Sequence, residues 1–545
     1  MAEGYLSLIL HGHLPYVRHP EHEYSLEEKW YYEAVLECYI PILIAMERLE
    51  RDEVDYALTF SLSPTLLSLM EDRLIQERCG RYIQRLYELA EKEVQRTAGD
   101  PIFAPVAQMY RQRLQEGDHF FNVRYERCLT EAFRERAESG HVELITSCAT
   151  HGYLPLLAQQ KESVYAQVAQ AVEYFASLFG QPPRGIWLPE CAYQPGIEET
   201  LGEFGIQYFI TATHGVLYAA PRPKYGVYSP ILTNNGIAVF GRDPETTTQV
   251  WSKNEGYPGD YYYREFYRDI GYDLDFEYIK DYLHPPGMRG DTGLKYHRIT
   301  GGRLEDKEPY IPERAREKAA EHAGNFMFNR EKQVEYLSTV MDRPPIIVAP
   351  YDAELFGHWW YEGPEWLEFL CRKIHFDQQQ LQMITPGEYL DLRYPLQVCT
   401  PCASSWGNKG YHEVWLNSAN DWLWRHLHHA AEQMIRLATD YPEAEGLLEA
   451  ALNQAARELL LAQSSDWPFI MTAKTMDQYA RRRAVDHLLR FRKLEKEIRR
   501  GEIDAHWLAK LQAADNIFPY LDYRLFQRLE LTMPVEEALE QAAQV

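Results

Sequence analysis

Short, unbroken apolar runs separated by amphipathic stretches set the rhythm of the chain up to about Pro401. Runs of strand character fall at Tyr5–Leu10, Val54–Phe60, Val142–Thr146, Gly185–Leu188, Gln207–Thr211, Ile346–Val348 and Leu381–Ile384. They are continuous instead of alternating, which is the pattern of strands covered by helices on both faces, as a parallel sheet requires. The rhythm predicts an α/β fold, a β/α barrel or a doubly wound sheet. Beyond Pro401 strand character gives way to helical periodicity at Asn420–Thr439, Ala444–Gln463 and Met476–Arg500, which predicts an α-helical C-terminal domain.

Two stretches interrupt the β/α alternation. Gly99 to Gly140 is charged and helical in pattern, as in a small insertion, and Ile231 to Asp342 is rich in Gly, Pro and Tyr and far longer than an ordinary loop. The second stretch predicts elaborated substrate loops. Within it, Glu255-Gly-Tyr-Pro-Gly-Asp260 has turn chemistry and is expected to act as a lid.

The polar residues that follow the apolar runs carry the candidate chemistry. His11 and His13, His151, Glu190 and Asp352 each come just after a run, and in a β/α barrel such positions line the C-terminal mouth where active sites are built. A pair of carboxylates at one mouth suits glycoside cleavage, with one attacking the anomeric carbon and the other protonating the leaving oxygen. Glu354, two residues beyond Asp352, competes for the second role, and residue type alone does not separate them. A His-x-His after a first barrel strand also suits a divalent metal, for which His151, His214 and Asp352 are the available partners.

Composition narrows the field. Lys and Arg number 56 against 81 Asp and Glu, a formal charge of −25, which repels phosphate backbones and anionic lipid surfaces and argues against nucleic acid or membrane as partners. The 39 Tyr and 12 Trp supply flat faces on which neutral sugar rings can stack. No apolar stretch reaches about 18 residues, and no basic segment precedes Tyr5–Leu10, so a cytoplasmic location is expected. Of eight cysteines only Cys399 and Cys402 form a C-x-x-C pair, with no second pair at zinc spacing, and all are read as reduced thiols.

Five segments carry a further signal: His11-Gly-His-Leu-Pro-Tyr16, Thr150-His-Gly-Tyr-Leu-Pro155, Trp187-Leu-Pro-Glu-Cys-Ala-Tyr193, Tyr351-Asp-Ala-Glu-Leu-Phe-Gly-His-Trp-Trp360 and Ser404-Ser-Trp-Gly407. In that order they resemble the conserved regions of glycoside hydrolase family 57, and most of all its 1,4-α-glucan branching enzymes. The likeness extends to Gln463–Phe469 and Phe518–Tyr523. It implies a distorted (β/α)7 barrel at 1–98 and 141–398 with long loops at 231–342, a helical insertion at 99–140, and a helical domain at 399–545 closing over the cleft. It implies no cofactor or metal, Glu190 as nucleophile and Asp352 as general acid/base, acting on an α-1,4-glucan such as amylose or a glycogen-like polysaccharide. The substrate-binding set it implies is His11, His13, His151, Trp30, Arg264, Tyr272, Trp360, Trp406, Trp415 and Asp466, with Tyr272 standing where look-alikes often carry Trp. A 4-α-glucanotransferase or α-amylase of the same fold is the second reading, and a metal-dependent hydrolase using His11 and His13 the third.

Overall fold

Residues 3–252 and 255–528 are described by a computed structural model. Its sheet is built on β1, Gly4–Gly12, nine consecutive buried residues. On one side β1 pairs in parallel with β2, Leu58–Leu62, and the ladder continues through β3, Val142–Thr146, β4, Gly185–Trp187, and β5, Tyr208–Thr211. After the short β6, Ile231–Leu232, the chain forms β7, Ala238–Gly241, parallel to β5. On the other side of β1 lies β8, Ile346–Asp352, again parallel.

The order β7-β5-β4-β3-β2-β1-β8 is a run of seven parallel strands, and the Asp243 N–H donates to Val348 O at 2.9 Å across its two ends. This is the expected distorted (β/α)7 arrangement. Ile9, Ile145, Trp187, Ile210, Phe240 and Val348, from six of the seven strands, form one buried cluster inside it. β9, Leu381–Met383, pairs with the start of β1, while β10, Gln397–Val398, joins β6, which runs antiparallel to β7.

Six of the predicted runs supply barrel strands; Leu381–Ile384 does not, because it adds to the start of β1 on the edge opposite β8. Its place is taken by Ala238–Gly241, inside the stretch read as loops. The run predicted from Val54 starts at Leu58, since Val54 N–H bonds back to Leu49 O and closes the helix Ile40–Arg51.

The described residues divide into two compact units. One comprises residues up to 148 and 171–411, the other 149–170 and from 412 on. The helices Arg73–Thr97, Ala104–Asp118 and Leu129–Glu138 of the predicted insertion and its flanks belong to the first unit, as does 399–411, so the second unit begins later than 399 and recruits 149–170.

The second unit packs Asp421–Asp440, Gly446–Ala462 and Asp477–Arg500, close to the helices predicted. Arg457 on the middle helix donates to Ile517 O and Phe518 O, fastening the Phe518–Tyr523 segment. No described helix is long and apolar enough to cross a membrane.

Candidate active site

Strand register brings the chemistry together. His11 on β1 lies opposite Asp352 at the end of β8 and opposite Ser61 at the end of β2, so these side chains share the sheet's C-terminal rim. His11 Nδ1 is hydrogen-bonded to Ser61 Oγ at 3.0 Å and His13 Nδ1 to Ser63 Oγ at 2.9 Å, which fixes each ring and turns its Nε2 edge away from the serine. The His11 ring lies flat on Trp187, with centroids 4.5 Å apart and planes 4° from parallel. Burial, and then the nearby His13, push the His11 pKa well down, so His11 acts as a neutral imidazole.

Glu190 follows β4 on a single 3-10 turn, Pro189–Cys191. Its φ of 62° and that of Cys191, 48°, place two consecutive non-glycine residues in the left-handed region. Such a conformation costs on the order of 1–3 kcal/mol per residue and persists where surrounding structure holds it. Here the holding contacts come from the loop after β10. Trp406 donates its Nε1–H to Glu190 Oε2 at 2.8 Å and its backbone N–H to Glu190 O at 3.0 Å, while Ser404 pairs with Tyr193. The carboxylate is thereby presented with one oxygen already oriented.

At Asp352 burial and neighbouring charge act together. Desolvation, then Glu354 and Glu190, raise its pKa well above the usual carboxylate range, against the opposing influence of Arg242 and His13. These influences favour the protonated form of the Asp352 carboxyl. Its rival Glu354 is otherwise engaged: Oε1 accepts from the His13 N–H at 3.0 Å and, in a short hydrogen bond, from Tyr39 OH. Glu354 thus holds the β1 loop, and burial raises its pKa as well.

Sequence reasoning missed Arg242. It follows β7, its guanidinium lies over the Trp406 ring at 5.4 Å, its Nε donates to Thr247 Oγ1 at 2.7 Å, and desolvation lowers its pKa. The signal was available: Ala238-Val-Phe-Gly241 is an apolar run ended by a polar residue, the same rule that found Glu190 and Asp352.

The remaining predicted residues fall in several places. His214, a possible metal partner, has Nε2 bonded to Gly410 O at 2.8 Å. Trp30 is partly buried on the helix Glu28–Glu33, and Tyr272 is 54% exposed on a short helix, Ile270–Asp273. Trp360 is only 1% exposed, packed among Tyr263, Phe356 and Trp366, so its ring supports the wall and offers no open face for stacking.

Arg264 is likewise internal, 4% exposed, with its guanidinium 3.8 Å from the Tyr361 ring centre. It lines a cavity of about 530 Å³ with Tyr110, Tyr310 and Glu362, whose walls include neither Glu190 nor Asp352. In the segment expected to be a lid, Glu255–Asp260, Tyr257 is buried, stacks on His322 and donates to Asn325 Oδ1, so that part is anchored to the helix Pro312–Val340.

His151, Trp415 and Asp466 belong to the second unit. There His151, with φ 56°, bonds Nδ1 to Ser465 Oγ at 2.8 Å, and Asp466 Oδ2 accepts from Ser464 Oγ at 2.5 Å. Gly152 bridges to Ser464, so the loop carrying His151 and the start of the helix Asp466–Ala473 form one local structure. Trp415 is 1% exposed and stacked on Tyr153 at 4.5 Å.

The model of glycosyl hydrolase family 57 matches residues 7–332, and that of the 1,4-alpha-glucan branching enzyme C-terminal region matches 426–526. The 1,4-alpha-glucan branching enzyme TK1436 of Thermococcus kodakarensis is 32% identical over 552 residues, covering 95% of this chain and 77% of that one. Among solved structures, the alpha-amylase AmyC from Thermotoga maritima has a TM-score of 0.91 at 42% identity, covering 97% of this chain and 100% of that one. The GH57-type branching enzyme of Pyrococcus horikoshii has a TM-score of 0.87 at 33% identity, covering 98% of each. The chain belongs to glycosyl hydrolase family 57.

Proposed function

We propose that this chain is a 1,4-α-glucan branching enzyme that cleaves an α-1,4 linkage by double displacement and transfers the chain to a glucose 6-hydroxyl. The observation that carries the reading is the joint match of both parts, the family 57 region at 7–332 and the branching-enzyme region at 426–526. In the first step Glu190, oriented by Trp406, attacks C1 while protonated Asp352 gives its proton to the departing oxygen. A covalent glucosyl ester forms. Asp352, now a carboxylate, takes the proton of the incoming hydroxyl, which attacks C1 and returns Glu190 to its ionised state.

His11, His13 and Trp406 are the proposed sugar contacts of the first unit, the imidazoles giving or accepting hydrogen bonds to hydroxyls and the indole shaping the wall. The reading places the protein in glycogen-type biosynthesis in the cytoplasm, and α-glucan is its partner.

A second reading is favoured by one specific likeness, the 42% identity to a protein named an α-amylase; there water would replace the 6-hydroxyl in the second step. Proton NMR of linear amylose incubated with the protein separates the two. Growth of α-1,6 anomeric signals, absent with Glu190→Gln and Asp352→Asn, is the expected result. New reducing ends without α-1,6 signals would replace the branching reading with hydrolysis.

A further inference from the structure

The segment that follows Asp352 ends in an exposed tryptophan fixed from several sides. Trp359 is 56% exposed, although the ring beside it, Trp360, is buried. One face of Trp359 stacks on Phe266, with centroids 4.5 Å apart and planes 17° from parallel, and His358 packs edge-on against both rings. The Lys295 amine lies 4.3 Å from the Phe266 centre, so the lower ring is held in turn.

The backbone is as constrained as the rings. His358 Nδ1 is bonded to Glu37 Oε2 at 2.8 Å, and Arg264 stands 4.0 Å from the same oxygen. Glu37 reaches this point from a π-helical turn, Ala34–Tyr39, the kind of local widening of a helix that recurs at functional sites. Gly357, at φ 118°, lies so close to the Glu37 carbonyl that a Cβ there would sit 1.8 Å from the oxygen. The Trp359 N–H meets Glu354 O at 3.4 Å, and Glu354 holds the β1 loop.

An indole kept in water and locked by this many contacts gains nothing for folding from its exposed face. A rigid, flat, apolar ring with a hydrogen-bonding imidazole beside it suits a pyranose ring, whose C–H face stacks while its hydroxyls bond at the edge. Because Glu37 occupies Nδ1 of His358, its Nε2 is the edge left for such a bond. Trp359 lies seven positions beyond Asp352 on the same pinned segment.

We propose that Trp359, backed by Phe266 and flanked by His358, is a glucan-stacking subsite outside the cleavage point, and that Glu37 is the positioning residue that holds it. The proposal rests on the reading of the chain as an α-glucan enzyme, and its test is a binding measurement that does not depend on which product forms.

Affinity for amylose is measured by affinity electrophoresis in a Glu190→Gln background, where no turnover occurs. Trp359→Ala is expected to weaken binding about 5- to 10-fold, which is about 1–1.4 kcal/mol. Trp359→Phe, which keeps a flat ring, is expected to stay within about twofold of the parent. Trp359→Ala within twofold of the parent overturns the subsite, as does Trp359→Phe falling as far as Trp359→Ala. Glu37→Ala, which releases His358 without removing the imidazole, is expected to weaken binding by at least threefold, while Glu37→Gln, which can still accept from Nδ1, stays within about twofold of the parent; no change in Glu37→Ala would overturn the positioning role. If amylose fails to bind the Glu190→Gln parent at all, the glucan reading itself falls.

Discussion

Gly357→Ala is the sharpest probe of how the acid-bearing loop is held. The added Cβ would lie 1.8 Å from Glu37 O, 2.6 Å from Glu37 C and 3.1 Å from Cys38 Cα, all backbone atoms that cannot rotate away. Reaching even 3.0 Å from the oxygen requires the two backbones to part by about 1.2 Å, the difference between 3.0 and 1.8. At φ 118° an alanine is also strained, at about 1–3 kcal/mol, and overpacking adds about 1–3 kcal/mol. The expected destabilisation is about 2–6 kcal/mol, seen as a lower midpoint in denaturant titration. Separation of the loop from the turn Ala34–Tyr39 moves the segment that begins at Asp352, and a displacement of about 1 Å costs on the order of a hundredfold in kcat. Gly99→Ala, where no atom lies within 4 Å, is the control and should leave both readouts unchanged. A Gly357→Ala protein with wild-type midpoint and wild-type kcat would refute the reasoning.

Two further predictions concern Asp352. Because its pKa is raised in the folded state, its contribution to stability is full below the ordinary carboxylate range and is lost as pH rises through the folded value. Asp352→Asn lacks that loss, so its melting temperature minus that of wild type should increase with pH; a constant difference would show that the proton is not held. Arg242 lowers the Asp352 pKa, so Arg242→Met should raise it further and move the alkaline limb of the kcat/KM profile to higher pH. An alkaline limb that stays put or moves down would separate Arg242 from the acid.

Much of the site was legible because a parallel barrel writes its mouth into the sequence as a polar residue after an apolar run. His11, Glu190 and Asp352 obey that rule, and the register His11↔Asp352 shows why the residues meet. Arg242 obeys it too, but β7 is four residues long inside a stretch dominated by Gly, Pro and Tyr, so its strand character was submerged. The different surroundings of Asp352 and Glu354 could not be read from the string, because the partners of Glu354, Tyr39 and the His13 backbone, lie more than 300 positions away in sequence. Trp360 and Arg264 were misplaced for a related reason. A tryptophan or arginine in a loop pattern gives no hint of whether its face is covered, and both are buried by side chains distant in sequence, Trp360 by Tyr263 and Arg264 by Tyr110 and Tyr361.

The claim at the centre of the account is that Glu190 attacks the anomeric carbon. It is tested by incubating the protein with a 5-fluoro-α-glucosyl fluoride, which slows breakdown of the glycosyl ester, and mapping the added mass by peptide mass spectrometry. The account predicts the fluoroglucosyl group on the peptide containing Glu190, with fragmentation assigning it to that carboxylate. A label on Asp352 or Glu354 would contradict it.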